Sequence, residues 1–173
     1  MLDSPQGQQT PTNLLAGTQW KLQGFVDVET NILKEPDEDN PYYGAGHTIS
    51  FTLFFYTDNG NDSLHQVFDG CIPPITGVPI PTNTNFALVT GWSNQSWWGY
   101  YVNFSTSTIN LLPMFGGSQA METPDGEFYI GTLYRSVKSF SLIPDKELKL
   151  YYEHPVTGKS YYLLFNPFIR EVQ

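Results

Sequence analysis

Three carboxylates, Glu122, Asp125 and Glu127, fall within six consecutive positions. Paired carboxylates are the machinery of glycoside hydrolysis: one protonates the leaving oxygen while the other attacks the sugar or activates water. These three sit in "GGSQAMETPDGEF", a polar loop with room for a short helical turn, where solvation is the ordinary fate of an acidic side chain. His47, His65 and His154 are far apart in sequence and belong to no H-x-x-x-H or C-x-x-C pattern, so zinc is not expected. The acidic stretches "EPDEDN" and "TDNGNDS" lack the spacing and distal Glu of a calcium loop. Cys71 is the sole cysteine and has no activating base nearby in sequence. There is no G-x-S-x-G elbow, P-loop or dinucleotide fingerprint. The chain therefore reads as a non-enzymatic protein with no cofactor and no metal. A hydrolase with an unrecognised carboxylate site is the alternative.

A second group of residues could bind without reacting. "SNQSWWGYYVNFS", residues 93–105, packs two Trp, two Tyr and a Phe into eight positions. Alternation gives Trp98, Tyr100, Val102 and Phe104 to one face, which is wholly apolar and belongs in a core. The opposite face carries Trp97 and Tyr101. With Trp92, and with Asn94, Gln95 and Asn103 supplying hydrogen bonds, these are the candidate ligand-binding residues of a carbohydrate-binding platform. The competing structural reading packs Trp97 and Tyr101 beneath the Pro-rich segment "IPPITGVPIPTN".

The elements that must position these residues read as strands. "GTQWKLQGFVDV" sets Trp20, Leu22, Val26 and Val28 against Gln19, Lys21, Gln23 and Asp27. "HTISFTLFFY" puts Ile49, Phe51, Leu53 and Phe55 on one face. Asn59-Gly60 then signals a hairpin returning through "LHQVFDGC". "NFALVTGW", the aromatic stretch and "TINLLPMF" follow. "YIGTLYRSVKSFSLI", "KELKLYYE" and "KSYYLLFNPF" close the chain as a meander, because their connectors are short. No long amphipathic helix is evident. Roughly eight strands at turn-punctuated spacing predict an all-β antiparallel barrel with little helix.

Composition agrees with this reading. A chain of 173 residues suits one domain, expected over residues 14–173 behind a flexible N-terminal tether at 1–13. Aromatics at 16% outnumber charged residues at 14%, so packing should carry the stability. A net charge of −9 with eight Lys and Arg argues against nucleic acid, whose phosphates need cations. No stretch approaches the ~20 apolar residues of a transmembrane segment.

The two ends of the chain carry a family likeness. "LLAGTQWKLQGFVD" resembles the opening strand of META-type and other lipocalin-like domains of bacterial cell-envelope lipoproteins, in which a Trp follows Gly-Thr. "SVKSFSLIPDKELKLYYEHPVTGKSYYLLFNP" resembles their closing meander. "VFDGC", residues 67–71, is similar to their central G-C-N region, with Ile72 in place of Asn. Lipocalins proper carry Gly-x-Trp, whereas two residues separate Gly17 from Trp20 here. The resemblance implies a lipocalin-like barrel and export to the periplasm or cell surface. A lipid anchor would lie on a precursor segment. No shared catalytic residues come with the resemblance. The function expected is a cell-envelope protein that binds an unknown small ligand, glycan or protein partner.

Overall fold

The computed structural model describes residues 13–37, 39–40, 44–45, 50–56, 85–92, 94–115 and 122–168. Antiparallel strands dominate. They are β1 (Gln19–Asp27), β2 (Leu33–Lys34), β3 (Asp39–Asn40), β4 (Gly44–Ala45), β5 (Thr52–Phe55), β6 (Asn85–Thr90), β7 (Gln95–Asn103) and β8 (Thr108–Phe115). A helix, α1 (Pro124–Arg135), precedes β9 (Ser139–Ile143), β10 (Glu147–Glu153) and β11 (Ser160–Pro167). Strands β1, β5, β6, β7, β8, β9, β10 and β11 pair in that order, and β11 pairs back onto β1. The sheet is thus a closed, barrel-like ring of eight strands, as the turn spacing predicts. Closure removes the unpaired edges that a flat sheet of this kind would expose.

Pairing around the ring thins at one seam and divides at another. β8 and β9 share a single residue pair, Thr108 with Ser139. β1 divides one edge between β5 (Gln19 to Lys21) and β2 (Phe25 and Val26). β2 lies just before the acidic stretch "EPDEDN". β3 and β4 form a separate small ribbon.

The strand interiors follow the alternation closely. On β7, Trp98 and Tyr100 are buried, and Val102, with Phe104 just past the strand end, packs against the core. On β5, Leu53 and Phe55 are fully buried, and so is Phe51 just before it. Trp20 is 1% exposed, as its place on the apolar face requires, and its indole N–H donates to Thr18 Oγ1 at 2.7 Å. Leu148, Leu150 and Tyr152 of β10 and Leu163 and Phe165 of β11 complete the wall. Large rings from most strands meet inside, so the described interior is filled by its own side chains.

One strand departs from its predicted phase. The β1–β11 register shifts between Leu22 and Gly24. That bulge turns Phe25 into the core, whereas Val26 is buried outside the core cluster and Val28 is 46% exposed. Two residues opposing one advances the side-chain alternation by one position. Gly24 is where the lack of a side chain is required: a Cβ there would collide with the Lys34 carbonyl oxygen of β2.

The larger correction is α1. The sequence predicts a loop and then a strand across residues 116–143, yet twelve of these residues form a helix. Thr123 caps it, its hydroxyl accepting from Gly126 N–H at 3.1 Å. Pro124 opens it, Asp125 and Glu127 occupy the first turn and Arg135 the last. This is the charge order that a helix dipole favours. Gly126, Tyr129, Thr132 and Leu133 share its buried face. Tyr129 reaches deep into the barrel, with its ring 5.8 Å from Phe51 and 6.3 Å from Phe165. Its hydroxyl faces the Thr52 carbonyl at 3.4 Å, and complete burial drives its pKa far above the usual phenol value.

The two ends of the ring are closed differently. α1 lies over the end where β6 turns into β7. Glu122, just before the helix cap, accepts from Trp92 N–H and Asn94 N–H in that turn, each at 2.7 Å. At the other end, the turn before β1 inserts the fully buried Leu15, and Gly17 N–H donates to the Phe55 carbonyl at 2.8 Å. Asn13 also donates to the Tyr100 hydroxyl at 2.8 Å. Of the expected tether, residues 1–13, Asn13 is described and is held by its bonds to Tyr100 and Leu15, and the other residues lie outside the described ones, as do the Asn59-Gly60 hairpin with its return strand and the Pro-rich segment.

Candidate functional site

The expected platform is divided by the fold. Trp92 is 5% exposed and belongs to the interior core. Trp97 is half-buried on the outer face of the ring, packed with Phe86, Tyr56 and Met114, its ring centroid 5.1 Å from that of Tyr56. Tyr101, on the same face of β7, is 45% exposed. Asn94 uses its backbone N–H to hold Glu122, and Gln95 is exposed at the start of β7. Asn103 Oδ1 accepts from the Ser105 and Thr106 N–H groups, fixing the turn between β7 and β8. These six residues therefore occupy a core position, two sites on an outer face, and two turns.

The carboxylate trio is dispersed in the same way. Glu122 ties the β6–β7 turn to the start of α1. Asp125 receives Lys34 Nζ at 2.7 Å on one oxygen and Asp37 N–H at 2.8 Å on the other. Glu127 is exposed. Among the described residues, no group of three or more His, Cys, Asp or Glu is arranged to hold a metal.

The fold brings a different set of residues together at the helix-covered end. The ends of β1 and β10, the start of β11 and the outward side of α1 meet there. Phe25 and Phe128 lie edge to face at 5.4 Å. Phe128 also lies 6.2 Å from Tyr152 and 5.7 Å from His154. Tyr152 and Tyr161 stack at 5.7 Å with 22° between their planes, and His154 lies 6.0 Å from Tyr161. Edge-to-face and offset geometries suit the ring quadrupoles. These rings wall an open cleft of about 640 Å³, with Asp27, Thr30, Lys34 and Asp125 among its polar lining. The volume falls within the range of small-molecule sites, roughly 300–1,000 Å³.

The polar groups at this cleft are fixed by local structure. Asp27 Oδ1 accepts from Glu29 N–H at 2.8 Å and Thr30 N–H at 3.0 Å. The Thr30 backbone bond is the main reason its carboxyl titrates below the usual value, with Lys159 adding a smaller pull. The Lys34–Asp125 pair ties β2 to α1, and the Lys34 ammonium also lies 5.7 Å from the Phe25 ring centre. His154 Nδ1 accepts from Val156 N–H at 3.2 Å and Thr157 N–H at 3.3 Å, which assigns the ring proton to Nε2. Tyr152 is buried, and that burial, with Tyr161 beside it, pushes its hydroxyl well above the ordinary phenol range. It therefore acts near neutral pH as a hydrogen-bonding group and not as an anion.

Tyr152, His154 and Tyr161 also line a second open cleft, of about 810 Å³, on the far side of the same seam. Arg135, the last residue of α1, and Ser136 and Lys138 just beyond it form part of its wall. Sequence reasoning left these residues unassigned. Period-two alternation does set Tyr152 and His154, the latter just past the end of β10, in phase, but nothing local brings Phe25, Phe128 and Tyr161 to them.

Comparison with known proteins leaves the family open. No family model matches the chain, and no curated protein matches it. Among solved structures it is similar to an NMR structure of a protein from Burkholderia xenovorans, at 14% identity, with 98% of this chain and 100% of that chain covered and a TM-score of 0.49.

Proposed function

We propose that this chain is a non-enzymatic binding module. It would act at the helix-covered end of its barrel, where a small ring-bearing ligand enters the aromatic cleft between β1, α1, β10 and β11. The observation that carries this reading is the convergence of Phe25, Phe128, Tyr152, His154 and Tyr161 around an open space of about 640 Å³. Rings supply contact area at low entropic cost, and Asp27 and Thr30 supply polar contacts at the rim. The filled interior supports the same choice, because a packed barrel leaves binding to its ends and surfaces. The resemblance to envelope lipoprotein domains extends the proposal to an exported protein of the periplasm or cell surface. Fractionation of the source cells tests that part.

A glycan platform on the outer face is the second reading, and the 45% exposure of Tyr101 is the observation in its favour. One NMR experiment separates the two. A panel of neutral mono- and disaccharides and small aromatic compounds is titrated into the labelled chain. Shifts at Thr30, Asp125, Phe128 and Tyr152, lost in Tyr161→Ala, are expected. Shifts confined to Trp97 and Tyr101 would move the site to the outer face and overturn the end-cleft assignment.

A further inference from the structure

We propose that the second cleft at this end takes a small anionic saccharide, with Arg135 and Lys138 meeting its carboxylate and Tyr161 meeting a face of its ring. This rests on the reading of the barrel end as a binding site and adds the charge of the ligand and the side it enters.

The charge distribution carries the argument. The chain has only eight Lys and Arg, and two of them line this one cleft of about 810 Å³. Lys34 and Lys149 are held by Asp125 and Glu147. Arg135 and Lys138 are exposed, and their side chains have no ion pair or hydrogen bond among the described residues. A cation in the last turn of α1 complements the helix dipole, which accounts for Arg135 as part of the helix. Lys138 lies beyond the helix, just before β9, where that account does not reach. The acidic side chain in the lining is Glu153, so the local balance favours an anion in a protein whose net charge is −9. Repulsion by the distant carboxylates is screened beyond about 8 Å at physiological salt, whereas cations in contact with the ligand are screened less.

The remaining lining suits a sugar. Ser136 and Ser160 offer hydroxyls that both donate and accept, as vicinal sugar hydroxyls require. Tyr161, half-buried in the wall and backed by Tyr152, offers apolar ring surface to the C–H face of a sugar. A planar guanidinium matches a carboxylate through two parallel N–H bonds, and the Lys138 ammonium adds a point charge. The volume accommodates one or two saccharide units.

The test uses digalacturonate as the probe and its dimethyl ester as the control, which keeps the rings and removes the charge. Both are titrated into the full chain by calorimetry and by NMR. Digalacturonate should shift Ser136, Lys138, Ser160 and Tyr161, and the ester should bind about tenfold more weakly or worse. The double variant Arg135→Gln, Lys138→Gln should weaken digalacturonate by about the same factor and lower the thermal midpoint by no more than about 1–4 °C, the helix-dipole contribution of Arg135, since both side chains are exposed. An ester that binds these residues as tightly as the acid overturns the anionic assignment and leaves the ring-binding end standing. Absence of digalacturonate binding also overturns it. If the neutral panel still shifts the Phe128 cleft in that case, the reading of the previous section survives, and if it does not, both fall.

Discussion

Replacing Glu122 by Ala should lower the unfolding free energy by about 2–4 kcal/mol, although this residue touches neither cleft. Its two carboxylate oxygens each accept a backbone N–H, from Trp92 and Asn94, at 2.7 Å. A hydrogen bond to a charged acceptor contributes about 1.5–3 kcal/mol net, so two such bonds set an upper bound near 6. Both amides are only part-buried, and water takes over some of the lost bonding after truncation, which brings the figure down to about 2–4. The negative charge just before the first turn of α1 contributes roughly 0.3–1 kcal/mol within that range. For a chain of this length each kcal/mol moves the midpoint by about 2–4 °C, so the melting temperature should fall by roughly 5–15 °C. Urea denaturation followed by Trp fluorescence measures the free energy, and native-state hydrogen exchange locates the loss. Exchange should accelerate first at Trp92 and Asn94. Glu122→Gln keeps one carbonyl acceptor but turns an amide N–H toward a backbone N–H, so it should recover less than half of the loss. The pinning role is refuted if Glu122→Ala costs less than about 0.5 kcal/mol, the scatter of ordinary surface changes, and leaves those two amides protected.

Two other outcomes follow from burial and titration. Trp20→Ala and Trp98→Ala should each cost about 3–5 kcal/mol, and Trp97→Ala clearly less, because Trp97 is only half-buried against Tyr56 and Phe86. Equal losses for Trp97 and Trp98 in urea would make Trp97 a core residue and remove it from any surface platform. Burial pushes the Tyr100 hydroxyl up from 10.0 to about 12, against a smaller downward pull from the Asn13 bond. A raised pKa favours the neutral form in the folded state, so this contribution is complete below pH 10 and is lost as pH rises through about 12. Tyr100→Phe should remove that part of the alkaline unfolding profile, and a profile identical to the parent's would contradict the assignment.

What could be read from the sequence and what could not divide along the range of the interactions involved. The inward set of β7 was legible because alternation is a property of neighbouring residues, and a one-residue slip would have exposed Trp98 and Tyr100 together. The β9–β10–β11 meander was legible because its connectors are too short for another topology. The phase of the first strand beyond Gly24 is not legible, because a bulge depends on the partner strand, here β11, and leaves no period of its own. The helix carried its start signal in the sequence, Thr123-Pro124-Asp125 followed by Glu127. That signal was outweighed by "FYIGTLY", which is aromatic and β-branched and holds a glycine, and so resembles a strand. What holds it helical is tertiary: Tyr129 against Phe51 and Phe165, and Glu122 bonded to residues 28 and 30 positions earlier in the chain. The candidate site is the extreme case. Phe25, Phe128 and Tyr161 stand on β1, α1 and β11, and they meet only because β11 closes onto β1 while the helix crosses the open end. A loop through Phe128 followed by a strand from Tyr129 places neither Phe128 nor Arg135 at that end. The long-range packing that holds Pro124–Arg135 helical therefore also assembles the site.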